Sequence, residues 1–199
     1  MLLNDIRHKL LAHTPSLAPT EIWDRELERH IARLTVLPAA SSGKQGELAG
    51  LALKAGLHLW NGSLDASHRL SQDVETPLGS YWHGIMHRME GDYSNANYWF
   101  ARAGRQPIHE ALQAAAAAAL ARRESEWRHM EQIGLRSKLE AIRCAPVWTP
   151  ATFTAAVELC VRSGQSAARP VLEEIQAEEL RLLADYSYEQ GGGLTLGTS

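Results

Sequence analysis

The sequence predicts an all-α fold of antiparallel helical hairpins in a single domain, and three observations predict it. Apolar residues recur three and four positions apart, as in Ile22, Trp23, Leu27, Ile31 and Leu34, which fall on one side of a helix. Turn signals interrupt that pattern at short intervals, at Asn61-Gly62, Gly91-Asp92 and Ser163-Gly164, and short connections make antiparallel neighbours. The 199 residues, 45% of them hydrophobic, are enough to fill one core.

Taken in order, the domain spans residues 1–190 and begins with a helix pair within 1–37, over about 2–12 and 19–34. Pro38 to Gly43 connects this pair to the body. Two hairpins occupy 45–104. The first has helices over 45–60 and 64–74 with Asn61-Gly62 between them. The second runs from Pro77 to Gly91-Asp92 and from Ser94 to Gly104. The C-terminal helices fill 108–189. Residues 108–132 give the longest, with an alanine run from Ala114 to Ala119 that admits a close neighbour. Shorter ones follow over 135–143 and from Thr149-Pro150, a strong helix start, to Ser163-Gly164. A last helix covers 168–188, and 191–199 is expected to be a flexible tail.

Composition narrows the function classes. A net charge of -3 and a pI near 6.3, with no basic run to track phosphates, disfavour nucleic acid as a partner. The N-terminus mixes charge into its apolar residues too early for a signal-peptide core, and the alanine-rich stretch is too short to span a bilayer, so no membrane partner is expected. Cys144 and Cys160 supply neither a disulfide framework nor a thiolate cluster, and read as buried thiols in a reducing, cytoplasmic setting. No Gly-rich phosphate loop, Ser-His-Asp elbow, CxxC pair or dinucleotide fingerprint occurs, which argues against the common cofactor enzymes.

The chemistry concentrates in residues 79–104. His83 and His87 are four apart and Glu90 follows His87 by three, so on a helix the three side chains share one stripe. Two imidazoles beside a carboxylate suit a divalent metal, Zn or non-haem Fe, and also suit proton transfer with Glu90 orienting His87. His83, His87 and Glu90 are therefore the candidate catalytic residues, should the protein be an enzyme. His68, with Gln72 and Asp73 on the preceding helix, is the best distant partner, because antiparallel neighbours bring facing side chains together. The expected metal set is His68, His83, His87 and Glu90. His68, Gln72, Tyr81 and Arg88 are the expected ligand-binding side chains. The plain alternative is that each histidine is a core residue tied to a neighbouring carbonyl or hydroxyl.

The hairpin around these residues resembles one tetratricopeptide unit. Gly84 stands at its close-packing glycine, Ala96 and Phe100 at its second-helix positions and Gly91-Asp92-Tyr93 at its turn. In that register Ser80, His83 and His87 stand where the repeat has Trp, Leu and Tyr. The resemblance thus implies imidazoles at packing positions, where a polar group must find a partner or cost free energy. The run Tyr81-Trp82-His83-Gly84-Ile85-Met86-His87-Arg88, with Glu90-Gly91-Asp92-Tyr93, Asn95-Ala96 and Tyr98-Trp99-Phe100, also resembles a signature of bacterial proteins without an assigned function, which implies no mechanism.

Three functions follow as expectations. The first is a helical protein that binds a metal or a small molecule through the histidines and Glu90, with enzymatic activity left open. The second is a tetratricopeptide-like interaction module, in which Tyr81, Ile85 and Arg88 line a groove for a partner peptide. The third is self-association, a homodimer, through the alanine-rich helix.

Overall fold

A computed structural model describes residues 3–37, 43–164, 167–191 and 195–197. Eleven helices are found among the described residues. They are α1 (Leu3–Leu11), α2 (Arg25–Arg33), α3 (Gly43–Trp60), α4 (Leu64–Ser71), α5 (Pro77–Glu90), α6 (Tyr93–Ala103), α7 (His109–Arg122), α8 (Glu124–Trp127), α9 (Ile133–Cys144), α10 (Pro150–Arg162) and α11 (Arg169–Gln190). They pack around one continuous core that runs from Leu3 and Ile6 to Leu183 and Ala184. None of them is long and apolar enough to cross a membrane.

The all-α expectation holds, with one small addition. Within the stretch read as a tail, Thr195–Gly197 (β2) pairs antiparallel with Thr35–Leu37 (β1). The rest of residues 192–199, and most of the connection read over 38–43, lie outside the described residues.

Local chemistry fixes the helix ends that frame the site. The Thr76 hydroxyl accepts from the Gly79 amide at 3.0 Å and Pro77 supplies the first helical position, so α5 starts sharply. Gly91, in the left-handed region at φ 93°, closes α5 with its amide on the Arg88 and His87 carbonyls. The next residue, Asp92, caps α6 by accepting from the Asn95 amide at 3.1 Å. One terminating and one initiating residue thus make the tight α5–α6 turn.

Two of the departures from the expected helix bounds have a visible cause; the helix read over 64–74 also ends early, at Ser71, and the one over 135–143 begins at Ile133. The helix read over 19–34 begins only at Arg25, because the Asp24 carboxylate accepts from the Glu26 and Leu27 amides at 2.8 Å and so sets the start there. The helix read over 108–132 is two, broken at Arg123. Trp127 turns back and donates its indole N–H to the Leu120 carbonyl at 3.0 Å, which buries the ring. The longest helix is therefore α11, of 22 residues. Of the two cysteines expected to be buried, Cys160 is, whereas Cys144 is exposed at the end of α9.

Helix α5 is the axis of the molecule. Twelve consecutive residues, Leu78 to Met89, are buried, so this helix is enclosed on every side rather than on one stripe. Its neighbours approach closely where a side chain is missing. A Cβ at Gly56 of α3 would sit 2.5 Å from the Trp82 ring, and one at Gly84 would sit 2.8 Å from Phe100 of α6. Every polar group on α5 must then be satisfied inside the protein.

Candidate functional site: a three-histidine cluster

Burial of α5 divides its polar residues into two groups. On one side His83 and His87, one helical turn apart, stack with ring centroids 4.7 Å apart and planes 13° apart. Helix α4 brings His68 against both, at 5.0 Å from His83 and 5.3 Å from His87, in edge-on contacts. One nitrogen from each of the three rings lies within 4.8 Å of the others. The expected convergence of His68, His83 and His87 is therefore present.

Helix α6 closes the cluster. Trp99 lies flat on His83, with centroids 4.1 Å apart and planes 14° apart. Asn95 reaches across the turn to His87, its Nδ2 3.1 Å from Nε2. Glu90 sits on the other side of that ring, with Oε2 3.2 Å from Nδ1. A carboxylate can only accept, so Nδ1 of His87 carries the proton and the ring's lone pair is on Nε2; Asn95 Nδ2, also 3.4 Å from Nδ1, lies over the ring and not along that lone pair. Glu90 is half exposed and orients His87 from outside the group of converging nitrogens.

His83 is the most enclosed of the three. It is 3% exposed, and neither of its ring nitrogens has a hydrogen-bond partner. A buried polar group left in this state costs about 1–3 kcal/mol. Burial, and then the neighbouring His87 and His68, push its pKa down to about 4, so the ring is neutral at pH 7. Burial also lowers His87, although Glu90 pulls the other way. Two uncharged imidazoles offer lone pairs instead of protons, which is the state a metal ligand needs.

Compared with protein-family models, curated proteins and solved structures, the chain matches none.

The remaining expected site residues fall elsewhere. Gln72 caps the end of α4 and is exposed. Tyr81 and Arg88 lie on another side of α5, in a buried network with α11. The Tyr81 hydroxyl donates to Glu179 Oε1 at 2.8 Å and accepts from the Trp148 indole at 3.1 Å. The Arg88 guanidinium pairs with Glu179, both fully buried, and lies 4.7 Å above the Phe153 ring. Gln176 ties this group to the Ser16 carbonyl at 2.9 Å. Tyr81, Ile85 and Arg88 all have 0% exposure, so the face expected to line a peptide groove is filled by the protein itself. Asn95 and Trp99 were not among the expected site residues. Their signal was available in the hairpin, since a tight turn after Gly91 lays the start of α6 over the end of α5.

Proposed function

We propose that the protein binds a divalent transition metal, zinc foremost and iron second, through His68, His83 and His87. The observation that carries this reading is His83, a buried imidazole with two unpartnered nitrogens, facing two further imidazoles. A metal ion relieves that cost at one of the two nitrogens, because a lone pair donated to a cation replaces the missing hydrogen bond. In a tetrahedral zinc site neighbouring nitrogens are about 3.4 Å apart, closer than the 4.8 Å within which these nitrogens lie, so binding turns the stacked His83 and His87 rings until their lone pairs converge. Three imidazoles leave a fourth position open, the arrangement in which zinc also takes water or a small ligand. Glu90, on Nδ1 of His87, supplies the hydrogen bond that orients a metal-binding imidazole. Two cysteines alone, Cys144 and Cys160, fit a reducing, cytoplasmic setting.

Titration of metal-free protein with Zn²⁺ by calorimetry tests the proposal. One ion per chain is expected to bind to the wild type, and His83→Leu is expected to abolish that uptake while the far-ultraviolet circular dichroism stays helical. Equal uptake by the variant, or none by the wild type, would reduce the histidines to packing residues.

A further inference from the structure

A second candidate site lies on a different face of α6. The imidazole side of that helix carries Asn95 and Trp99. Asn97 and Ala101, each two positions on and so about 200° around the axis, line a cleft of about 800 Å³ bounded by α6, α7 and the α9–α10 connection. Nothing in the three-histidine reading uses it.

The cleft has the makeup of a small-molecule site. Its body is apolar, formed by Phe100, Ala101, Ala114, Ala117, Val147 and Trp148, and the small side chains of α7 are what leave the space. Its volume lies in the range that encloses drug-sized ligands, about 300–1,000 Å³. Two of its wall residues are more than nine-tenths buried yet incompletely satisfied. Gln113 donates Nε2 to the Ile142 carbonyl at 2.8 Å but leaves Oε1 without a donor, and His109 leaves Nε2 without a partner. At the rim Arg105 is exposed and makes no ion pair or hydrogen bond among the described residues, in a protein where most arginines are paired. Glu110 lines the same rim.

We propose that this cleft binds an amphipathic organic anion, with its apolar ring body against Phe100, Trp148 and the α7 alanines, a hydrogen-bond donor toward Gln113 and one negative charge beside Arg105. Glu110 repels a second negative charge, so the ligand class is monoanionic. The proposal does not depend on the metal site.

The probe is 8-anilinonaphthalene-1-sulfonate, which carries fused rings, one N–H and one anionic group, compared with N-phenyl-1-naphthylamine, which lacks the sulfonate. Fluorescence titration of the full chain is expected to show one saturable site for each, with the sulfonate bound about fivefold more tightly, the size of an exposed charge pair. Arg105→Gln is expected to erase that advantage, and Ala117→Trp, which fills the cleft, to remove both signals. Absence of saturable binding, or binding that survives Ala117→Trp, overturns the proposal. Should Ala117→Trp fail to fold by circular dichroism, the exposed Arg105→Gln decides, and an unchanged sulfonate preference in that variant overturns it equally.

Discussion

His83 lies face to face with Trp99, ring centroids 4.1 Å apart, and that contact covers a buried imidazole neither of whose nitrogens has a partner. The seal has a consequence for acid stability. With its pKa at about 4 in the folded chain and near the ordinary value of about 6.5 when unfolded, His83 binds a proton more readily in the unfolded state. Its contribution is complete above about pH 6.5, falls as the pH drops toward about 4, and changes no further below that. Metal-free wild type is therefore expected to lose urea stability between pH 7 and 4.5 more steeply than His83→Leu. Parallel pH profiles for the two proteins would contradict a buried neutral imidazole.

Glu90 and Asn95 touch His87 in different ways. Glu90 holds the proton on Nδ1, whereas Asn95 Nδ2, 3.1 Å from Nε2 and 3.4 Å from Nδ1, lies over the ring and leaves the Nε2 lone pair to a metal. Glu90→Gln is expected to weaken Zn²⁺ binding about tenfold, the smaller end of effects from groups that orient metal ligands, because Glu90 is half exposed. Asn95→Ala removes only a contact with the ring face and is expected to change binding by no more than about twofold. Competition with a chelating dye measures both, and a larger effect from Asn95→Ala than from Glu90→Gln would contradict this division.

The Arg88–Glu179 pair is a stability element in this account. Both groups are fully buried, and Tyr81 shares the same carboxylate. The Tyr81 hydroxyl is accordingly pushed well above its ordinary pKa, first by burial and then by Glu179. Glu179→Gln leaves the guanidinium charge uncompensated, and a loss of about 3–5 kcal/mol in urea unfolding is expected. Zn²⁺ affinity of the folded fraction should stay unchanged, since the imidazoles lie on another side of α5. A loss below about 1 kcal/mol would mean that the cation-π contacts with Phe153 and Phe100 hold Arg88 without the carboxylate.

Local patterns in the sequence carry most of the helices, because caps and breakers such as Asp92, Gly91 and Pro150 act within a few residues. The His83–His87 spacing was legible for the same reason, and His68 followed from the antiparallel hairpin rule. Which side of α5 faces what was not legible. A helix enclosed all round has no polar stripe to orient it, so Tyr81 and Arg88 read as ligand-binding when α11 covers them. Their partner Glu179 lies some ninety residues away, and no local signal joins them. The break at Arg123 was hidden too, since it depends on Trp127 folding back onto Leu120, a tertiary contact that overrides good helix formers.

X-ray absorption spectroscopy at the zinc edge of the loaded protein tests the central claim most directly. Three nitrogen scatterers at about 2.0 Å with the outer-shell pattern of imidazole are expected in the wild type and one fewer in His68→Ala. A first shell of oxygen alone, or one containing sulfur, would contradict a site built from His68, His83 and His87.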